Sequence, residues 1–399
     1  MMKKCLLIIG LVISLFAVNV VAHEAHTINK TTKLAISVAF DQQGNLLRAS
    51  VDDGFILVDK SSDKGKTFGA KVKVNQTQQN IAAKGEARPK IAIGPQGHIY
   101  LTWTQGLAKR FTGYVWFARS VDGGKTFEQP IIVHQDRAEI THRFDALHVA
   151  STGVITVSCV DKRDLEAAKA AGKAYTGAAI YYVTSKDAGA SFTQEQKLAD
   201  SSCECCRIAM TSKPDGTAVA MWRHVFEGGE RDHMIAEIPA SGKKANLNRA
   251  TYGHWKIDGC PHHGAALASG GEGADWWGYH MAYFDGKGKS PGLYYSRMDG
   301  MAWAGSPPKI FGNPEKQARH PAILAIGKIV WLAWLETYEN NIKKVMSIKS
   351  TDGGKTWSEV TEALNTNSQI DYPQLLQSKG EAYFAVNTNE GLILKSLMH

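Results

Sequence analysis

Pairs of short apolar runs recur along the chain, and a glycine-containing turn separates the two runs of each pair. Clear copies are EARPKIAIGPQGHIYLTW (86–103), HRFDALHVASTGVITVSC (142–159) and ARHPAILAIGKIVWLAW (318–334). Each pair begins with a short polar lead. Apolar runs of this length, bounded by turn residues, predict β-hairpins rather than helices. Seven such modules can be counted, the first beginning near residue 34 and the last near residue 371.

A second motif, Ser-x-Asp-x-Gly-x-Thr/Ser-Phe/Trp, recurs out of phase with these hairpins. Four segments match it, 61–68, 120–127, 185–192 and 350–357, and 296–303 is a degraded copy. Its composition predicts a tight turn. The aspartate accepts hydrogen bonds from backbone N–H groups of the turn, the glycine supplies a positive φ, and the aromatic residue packs inward.

The two motifs together define a module of roughly 50 to 60 residues, the length of a four-stranded propeller blade. We therefore predict an all-β, seven-bladed β-propeller that forms one domain over residues 23–399. Six blades are the alternative, because closure of the ring depends on the terminal strands. The last module has room for three strands, and we expect the mature N-terminus to supply the fourth.

The first 22 residues have the pattern of a signal peptide. Lys3 and Lys4 precede a mainly apolar stretch, and Val20-Val21-Ala22 offers a small-residue cleavage site. A mature chain starting at His23 is expected in the periplasm or outside the cell. Removal of the 22-residue signal peptide takes away Lys3 and Lys4 and so lowers the formal charge of +8 by two. The remaining excess is mild and forms no basic block, which argues against nucleic-acid binding and for anionic ligands at most.

The repeated turns resemble the Asp-boxes of the sialidase-like, or BNR-repeat, β-propellers, and the resemblance covers almost all of the mature chain. These turns join the third and fourth strands of a blade at one face. The polar leads into the first strands therefore share the opposite face, around the mouth of the central channel, where binding sites lie in that family.

If the protein is an enzyme, the resemblance implies a glycoside hydrolase of the exo-α-sialidase type. Such an enzyme uses three arginines on the substrate carboxylate, a tyrosine nucleophile activated by a glutamate, and an aspartic acid/base. The matching candidates are Arg88, Arg207, Arg319, Tyr372, Glu336 and Asp145. The chain departs from the family pattern because Ala87-Arg88-Pro89, its nearest match to the Arg-Ile-Pro lead, follows the first Asp-box instead of preceding it.

Cysteines are concentrated at two neighbouring leads. Cys203, Cys205 and Cys206 lie in DSSCECCRIAM, and GCPHHG (259–264) contains Cys260, His262 and His263. Three interpretations stay open. Disulfides would join the two loops in an oxidising compartment. Thiolates and imidazoles would bind Zn²⁺ or Cu⁺. A reactive thiol pair would serve redox chemistry. Five cysteines remain after cleavage, so they cannot all pair within one chain.

We favour an exported propeller that binds a soft transition metal, copper first and zinc second. The candidate ligands are Cys203, Cys205, Cys206, Cys260, His262 and His263. His23 and His26, together with the free α-amine of the mature N-terminus, would suit Cu²⁺, but a terminal tail with chance histidines is the favoured interpretation. The alternatives are a hydrolase or binding module for acidic glycans, and an interaction scaffold in which the cysteines are disulfide staples. The expected partners are a metal ion or an acidic glycan, and we expect a monomer.

Overall fold

Seven separate antiparallel sheets follow one another along the chain in the structure, a computed structural model. It describes residues 34–239, 243–259, 261–288 and 290–397. Within these ranges six sheets have four strands and the last has three. The prediction of an all-β, seven-bladed propeller is confirmed, and six blades are excluded. The predicted fourth strand of the last blade and the predicted signal peptide lie outside the described residues.

The first four blades are consecutive in sequence. Blade 1 contains β1 (Ser37–Phe40), β2 (Leu46–Asp52), β3 (Phe55–Ser61) and β4 (Val72–Lys73). Blade 2 contains β5 (Lys90–Ile93), β6 (Ile99–Gly106), β7 (Gly113–Ser120) and β8 (Ile131–Ile132). Blade 3 contains β9 (His142–Val149), β10 (Ile155–Asp161), the helix α1 (Arg163–Ala170), β11 (Ala178–Ser185) and β12 (Gln196–Ser202). Blade 4 contains β13 (Ala209–Ser212), β14 (Ala218–Arg223), β15 (His233–Glu237) and β16 (Asn248–Arg249).

The remaining blades complete the circle. Blade 5 contains β17 (Ala266–Gly270), β18 (Gly278–Asp285), β19 (Gly292–Asp299) and β20 (Lys309–Phe311). Blade 6 contains β21 (Arg319–Ile326), β22 (Ile329–Thr337), β23 (Lys343–Ser350) and β24 (Thr361–Thr366). Blade 7 contains β25 (Gln374–Ser378), β26 (Glu381–Thr388) and β27 (Gly391–Ser396). Short 3-10 turns cover Glu227–Gly229, Gly273–Asp275, Pro314–Lys316 and Glu339–Asn341. No helix among the described residues is long and apolar enough to cross a membrane.

The ring closes through its innermost strands. Each first strand contacts the first strand of the next blade, and β25 of the last blade contacts β1 of the first. Hydrophobic clusters fill the seven interfaces between neighbouring blades. At the interface of blades 1 and 2, for example, Leu47 and Ala49 pack against Leu101 and Trp103. Burial of this apolar surface is the main stabilising contribution, as in other propellers.

The four complete Asp-box turns share one hydrogen-bond pattern, as predicted. In the turn after β7, Asp122 accepts from the Ser120 hydroxyl (2.7 Å), the Thr126 N–H (3.0 Å) and the Thr126 hydroxyl (2.6 Å). The other three turns repeat these contacts. Hydrogen bonds from the Thr126 side chain and backbone lower the pKa of Asp122. The degraded copy keeps only backbone donors, because Asp299 accepts from Met301 and Ala302.

The carboxylate of Glu86, in the lead to β5, ties together the ends of four blades at the channel mouth. It accepts hydrogen bonds from the backbone N–H of Arg207, at the entry to blade 4, at 3.0 Å and of Gly264, at the entry to blade 5, at 2.9 Å. The Nδ1 atom of His320, in blade 6, lies 3.7 Å from it. Burial opposes ionisation, but His320 and the charge of Arg207 outweigh it and hold the pKa of Glu86 at about 2.

A buried ion pair closes the ring on the other side of the mouth. Arg88 of blade 2 donates two parallel bonds to Asp371 of blade 7, at 2.5 and 2.7 Å, and a third to the carbonyl of Ile36 at 3.1 Å. The Ile36 N–H in turn donates to Asp371 at 3.3 Å. The two-pronged geometry fixes blades 1, 2 and 7 relative to one another.

Two neighbouring glycines of the last Asp-box give a matched test of its packing. Gly353 and Gly354 both have positive φ, +74° and +80°. A Cβ at Gly354 would lie 1.8 Å from the Tyr295 hydroxyl, whereas one at Gly353 has nothing within 4 Å. Urea unfolding should therefore show that Gly354→Ala lowers the free energy of unfolding by about 2–4 kcal/mol and Gly353→Ala by about 1 kcal/mol. Equal losses in the two variants would contradict the packing described.

Replacement of Glu86 tests the four-blade contact. Glu86→Gln should lower the free energy of unfolding at pH 7 by about 1–3 kcal/mol, because charge-assisted bonds to buried N–H groups are lost. The pKa of Glu86 is held below its ordinary value, so its contribution is complete above pH 4.5 and disappears as the pH falls toward about 2. The difference between wild type and variant should shrink over that range.

The matched control is Glu128→Gln, which breaks the half-exposed ion pair with Arg119. It should cost less than about 1 kcal/mol. A Glu86→Gln effect as small as this, or one that does not change between pH 5 and pH 3, would show that Glu86 does not hold the mouth together.

Candidate functional site

A cavity of about 220 Å³ lies at the channel mouth beside the Glu86 carboxylate. Four of the six predicted catalytic residues line it: Arg88, Asp145, Arg207 and Tyr372. Glu86 and Lys90 line it as well. Lys90 was not among the residues predicted from the sequence. Its signal is a lysine inside the apolar run of a first strand, because such a charged side chain is expected to face the channel.

The charged groups of the cavity compensate one another. Asp145 accepts from the Thr102 hydroxyl at 2.7 Å and the Thr104 hydroxyl at 2.8 Å, and the Lys90 Nζ atom lies 3.4 Å from it. Burial lowers the pKa of Lys90. The cavity therefore contains paired charges rather than a strong field of one sign.

Tyr372 is a neutral phenol in the wall of the central cavity. Its ring stacks on the imidazole of His320 with 3.5 Å between ring centroids, and the Arg88 guanidinium lies 5.3 Å from its ring centre. Burial raises the pKa of Tyr372 to about 12 and lowers that of His320 to about 4, so both rings are uncharged at neutral pH. His320 adopts a positive φ of +54°, an unusual conformation for a residue with a side chain.

The guanidinium groups of the arginines at this cavity are engaged within the protein. Arg88 forms the ion pair with Asp371 described above. Arg207 donates from Nε to the carbonyl of Ala265 at 2.8 Å and from Nη2 to the carbonyl of Pro321 at 2.6 Å. The ion pair with Asp371 occupies the two-pronged donor pair of Arg88, and Arg207 uses Nε and Nη2 for bonds within the protein.

The other two predicted catalytic residues belong to blade 6 and do not line this cavity. Arg319 donates to the side chains of Gln317 (2.9 Å) and Thr337 (3.1 Å). Glu336 is buried and accepts hydrogen bonds from three donors on its own blade or the segment before it. These donors are Asn313 N–H, Trp334 Nε1 and the Tyr338 hydroxyl.

The CxCC segment forms a turn between β12 and β13 that brings three sulfur atoms together. The Cys203 Sγ lies 3.8 Å from that of Cys205 and 3.7 Å from that of Cys206. A disulfide would need about 2.0 Å. Three thiolates bound at about 2.3 Å to one tetrahedral ion lie about 3.8 Å apart, which matches the observed spacing. The three sulfur atoms are close enough together to hold one metal ion.

The three cysteines are buried in the hydrophobic core between blades 3 and 4, with exposures of 1%, 5% and 3%. Cys206 donates a hydrogen bond to Cys203, and either sulfur can be the donor between Cys203 and Cys205; both contacts lower the pKa of Cys203. The pKa of Cys206 is raised, because its proton takes part in the bond to Cys203. A soft cation that binds the three sulfurs would displace their protons.

An arginine accompanies each of these sulfur atoms. Arg223 interacts electrostatically with Cys203, Arg207 with Cys206, and Arg143 with Cys205. The Cys203 N–H also donates to the Arg223 carbonyl at 2.9 Å. Negative charge on the cluster is therefore compensated by the surrounding protein.

The predicted ligands of the neighbouring lead occupy different positions. His262 is exposed, and His263 stacks on Phe284 with 4.2 Å between ring centroids. Neither is part of the group formed by the three cysteine sulfurs. The loop itself is close to the cluster, because the Arg223 Nη2 donates to the carbonyl of His263 at 3.0 Å. Cys260 lies outside the described residues.

No disulfide is present among the described residues. Cys159 is a buried thiol in the core between blades 2 and 3.

A second group of possible metal ligands, Glu230, Asp232 and His254, was not anticipated from the sequence. The Arg249 guanidinium forms ion pairs with Glu230 at 2.7 Å and Asp232 at 2.5 Å. The positive charge of the protein's own arginine therefore already occupies this group.

Comparison with known proteins gives matches only at the level of structure. No protein-family model matches the sequence, and no curated protein sequence does. An ulvan lyase of polysaccharide lyase family PL25 superposes with a TM-score of 0.56 at 10% identity, covering 92% of this chain and 97% of that one.

Two glycoside hydrolases give similar values. The α-L-arabinofuranosidase Arb93A of Fusarium graminearum has a TM-score of 0.51 at 13% identity, over 82% of this chain and 92% of its own. The Hadza microbial sialidase Hz136 has a TM-score of 0.50 at 14% identity, over 87% and 74%. At these identities the likeness concerns the fold alone. This chain has the sialidase-like β-propeller fold that its Asp-box turns predicted.

Proposed function

We propose that this protein binds one soft transition-metal ion, copper first and zinc second, through the thiolates of Cys203, Cys205 and Cys206. The observation that carries the proposal is the spacing of the three sulfur atoms, 3.7 and 3.8 Å from Cys203. That spacing suits thiolates that share one ion and is too long for a disulfide.

Charge supports the same conclusion. Three thiolates around Cu⁺ carry a net charge of about −2, and around Zn²⁺ about −1, which is costly in an apolar core unless compensated. The charges of Arg143, Arg207 and Arg223 act on the three sulfurs and contribute to that compensation. The arginines thus serve as outer partners that hold the ligands in their deprotonated form.

The number of ligands favours copper. Structural zinc sites have four protein ligands, whereas the described residues offer three sulfur atoms in one group. Cys260 is the proposed fourth ligand if zinc binds, because the loop that contains it is attached to the cluster through Arg223 and His263. His262 and His263 are the alternatives on the same loop.

We further propose that the protein acts outside the cytoplasm, as its N-terminal sequence predicts. Thiols in an oxidising compartment tend to form disulfides, and a bound metal protects them. A metal-loaded cluster is therefore consistent with export, provided that loading precedes oxidation.

Metal content provides the test. Protein purified from the periplasm should contain about one copper or zinc per chain, measured by mass spectrometry with a thiol count after metal removal. Cys203→Ser, Cys205→Ser and Cys206→Ser should each reduce metal content at least tenfold, since each removes one of three ligands. Cys159→Ser is the matched control, a buried thiol in another core, and should keep its metal.

Two results would overturn this proposal. One is metal-free protein that takes up neither Cu⁺ nor Zn²⁺ after reduction. The other is equal metal content in Cys205→Ser and Cys159→Ser.

The Cys260→Ser variant distinguishes copper from zinc, because a three-thiolate copper site should keep its metal in this variant and a four-ligand zinc site should lose it.

A second candidate function is binding or hydrolysis of an acidic glycan at the central cavity. It is favoured by the meeting of Arg88, Asp145, Arg207 and Tyr372 around one space of about 220 Å³. The internal bonds of Arg88 and Arg207 weigh against it, because a substrate carboxylate would have to displace Asp371 or backbone carbonyls.

A fluorogenic sialoside assay decides this candidate. The bonds of Arg88 and Arg207 lead us to expect no turnover above the blank, both for the wild type and for Tyr372→Phe. Turnover by the wild type that Tyr372→Phe reduces at least a hundredfold would instead establish a glycosidase with a tyrosine nucleophile. Turnover unaffected by this substitution would point to a contaminating enzyme.

A further inference from the structure

A second and larger cavity, of about 320 Å³, lies between blades 5 and 6. It is distinct from the central cavity, since the two share no lining residue. Its walls are mainly apolar and include Phe284, Pro291 and Pro314, and its polar side chains are Arg319, His263 and Gln317. Small-molecule sites in proteins have this size and composition, apolar walls with a few polar groups.

The charge of Arg319 is not compensated by the protein. Its two hydrogen-bond partners, the Gln317 amide oxygen and the Thr337 hydroxyl, are neutral. No carboxylate among the described residues forms an ion pair with it, in contrast to Arg88, whose partner is Asp371. Arg319 is partly buried, and burial lowers its pKa. A partly desolvated guanidinium without an anion is a costly arrangement that an anionic ligand would relieve.

A second cation meets Arg319 at the Thr337 hydroxyl, although neither Lys343 nor Thr337 lines the cavity itself. The Lys343 Nζ donates to the Thr337 hydroxyl at 3.1 Å, the same distance at which the Arg319 Nη2 does. Lys343 likewise forms no ion pair among the described residues, and its pKa is lowered by burial and by the charge of Arg319. Two like charges that share one hydroxyl repel each other, and a bound anion would offset that repulsion.

The opposite wall provides an aromatic surface and an unused polar atom. The imidazole of His263 stacks on Phe284 at 4.2 Å between centroids, with 27° between the planes. Its Nδ1 atom is buried and has no hydrogen-bond partner among the described residues, so it is available to a ligand.

We infer that this cavity binds a small organic carboxylate with an aromatic or aliphatic body. The carboxylate would bind the Arg319 guanidinium in addition to, or in place of, its neutral partners Gln317 and Thr337, and the body would lie against Phe284 and the two prolines. A sugar is a poorer match, because its many hydroxyl groups would face apolar walls. The cavity shares no residue with the three cysteines, and the carboxylate contact rests on Arg319; His263, which lines the cavity, is one of the alternative fourth metal ligands named above.

Benzoate, phenylacetate and hexanoate are the probes, titrated calorimetrically into the mature protein, with benzamide as the uncharged counterpart of benzoate. At least one carboxylate should bind, and benzamide should bind at least about tenfold more weakly than benzoate, because it cannot form charge-assisted bonds. Arg319→Gln should weaken carboxylate binding by about tenfold or more, and Arg319→Lys by less, since lysine keeps the charge without the planar fork.

Arg297→Gln is the matched control. Arg297 also lacks an ion pair among the described residues, stacks on Trp277 at 4.0 Å, and does not line the cavity. This variant removes the same charge and should bind like the wild type.

Three outcomes would overturn the inference: no probe binds, benzoate and benzamide bind equally, or Arg319→Gln and Arg297→Gln behave alike. Melting temperatures of each variant identify a folding defect. If Arg319→Gln does not fold, the comparison of benzoate with benzamide on wild-type protein still decides, because it requires no variant.

Discussion

The hydrogen bonds of the Glu86 carboxylate are the interaction on which the channel mouth depends. Each blade is a separate sheet, and apolar contacts between blades set their distance without fixing the alignment of the loops at the mouth. Glu86 accepts from the backbone of Arg207 and Gly264 and lies 3.7 Å from His320. Because Arg207 directly follows Cys206 in sequence, this carboxylate also anchors one end of the thiol cluster. A substitution at Glu86 would therefore alter the structure of both the central cavity and the cysteine turn.

Arginines at equivalent positions of four blades have four different environments. Arg88 is neutralised by Asp371, and Arg207 donates to backbone carbonyls of the neighbouring blades. Arg143 interacts with the thiol cluster, while Arg319 has only neutral partners. The position is the same because the lead into a first strand always reaches the mouth. The roles differ because a guanidinium takes its function from the acceptors that other blades bring to it.

The repeats explain why the fold could be predicted and the site only in part. Asp-box turns and hairpins are local patterns, so seven modules could be counted without knowing any long-range contact. The CxCC turn could also be placed at the entry to blade 4. Whether Arg88 is available for a ligand depends on Asp371, which lies 283 residues away. The separation of Arg319 from the central cavity, and of His263 from the cysteines, likewise depends on side-chain directions that a sequence pattern does not specify.

The environment of the cysteines also bears on which of the three interpretations of their chemistry is strongest. A redox pair needs an accessible thiolate that another disulfide can reach, and all three sulfurs are buried. A disulfide between any two would leave the third thiol unpaired. A cation shared by the cluster would use all three sulfurs at once, which is why metal binding is the function proposed for them.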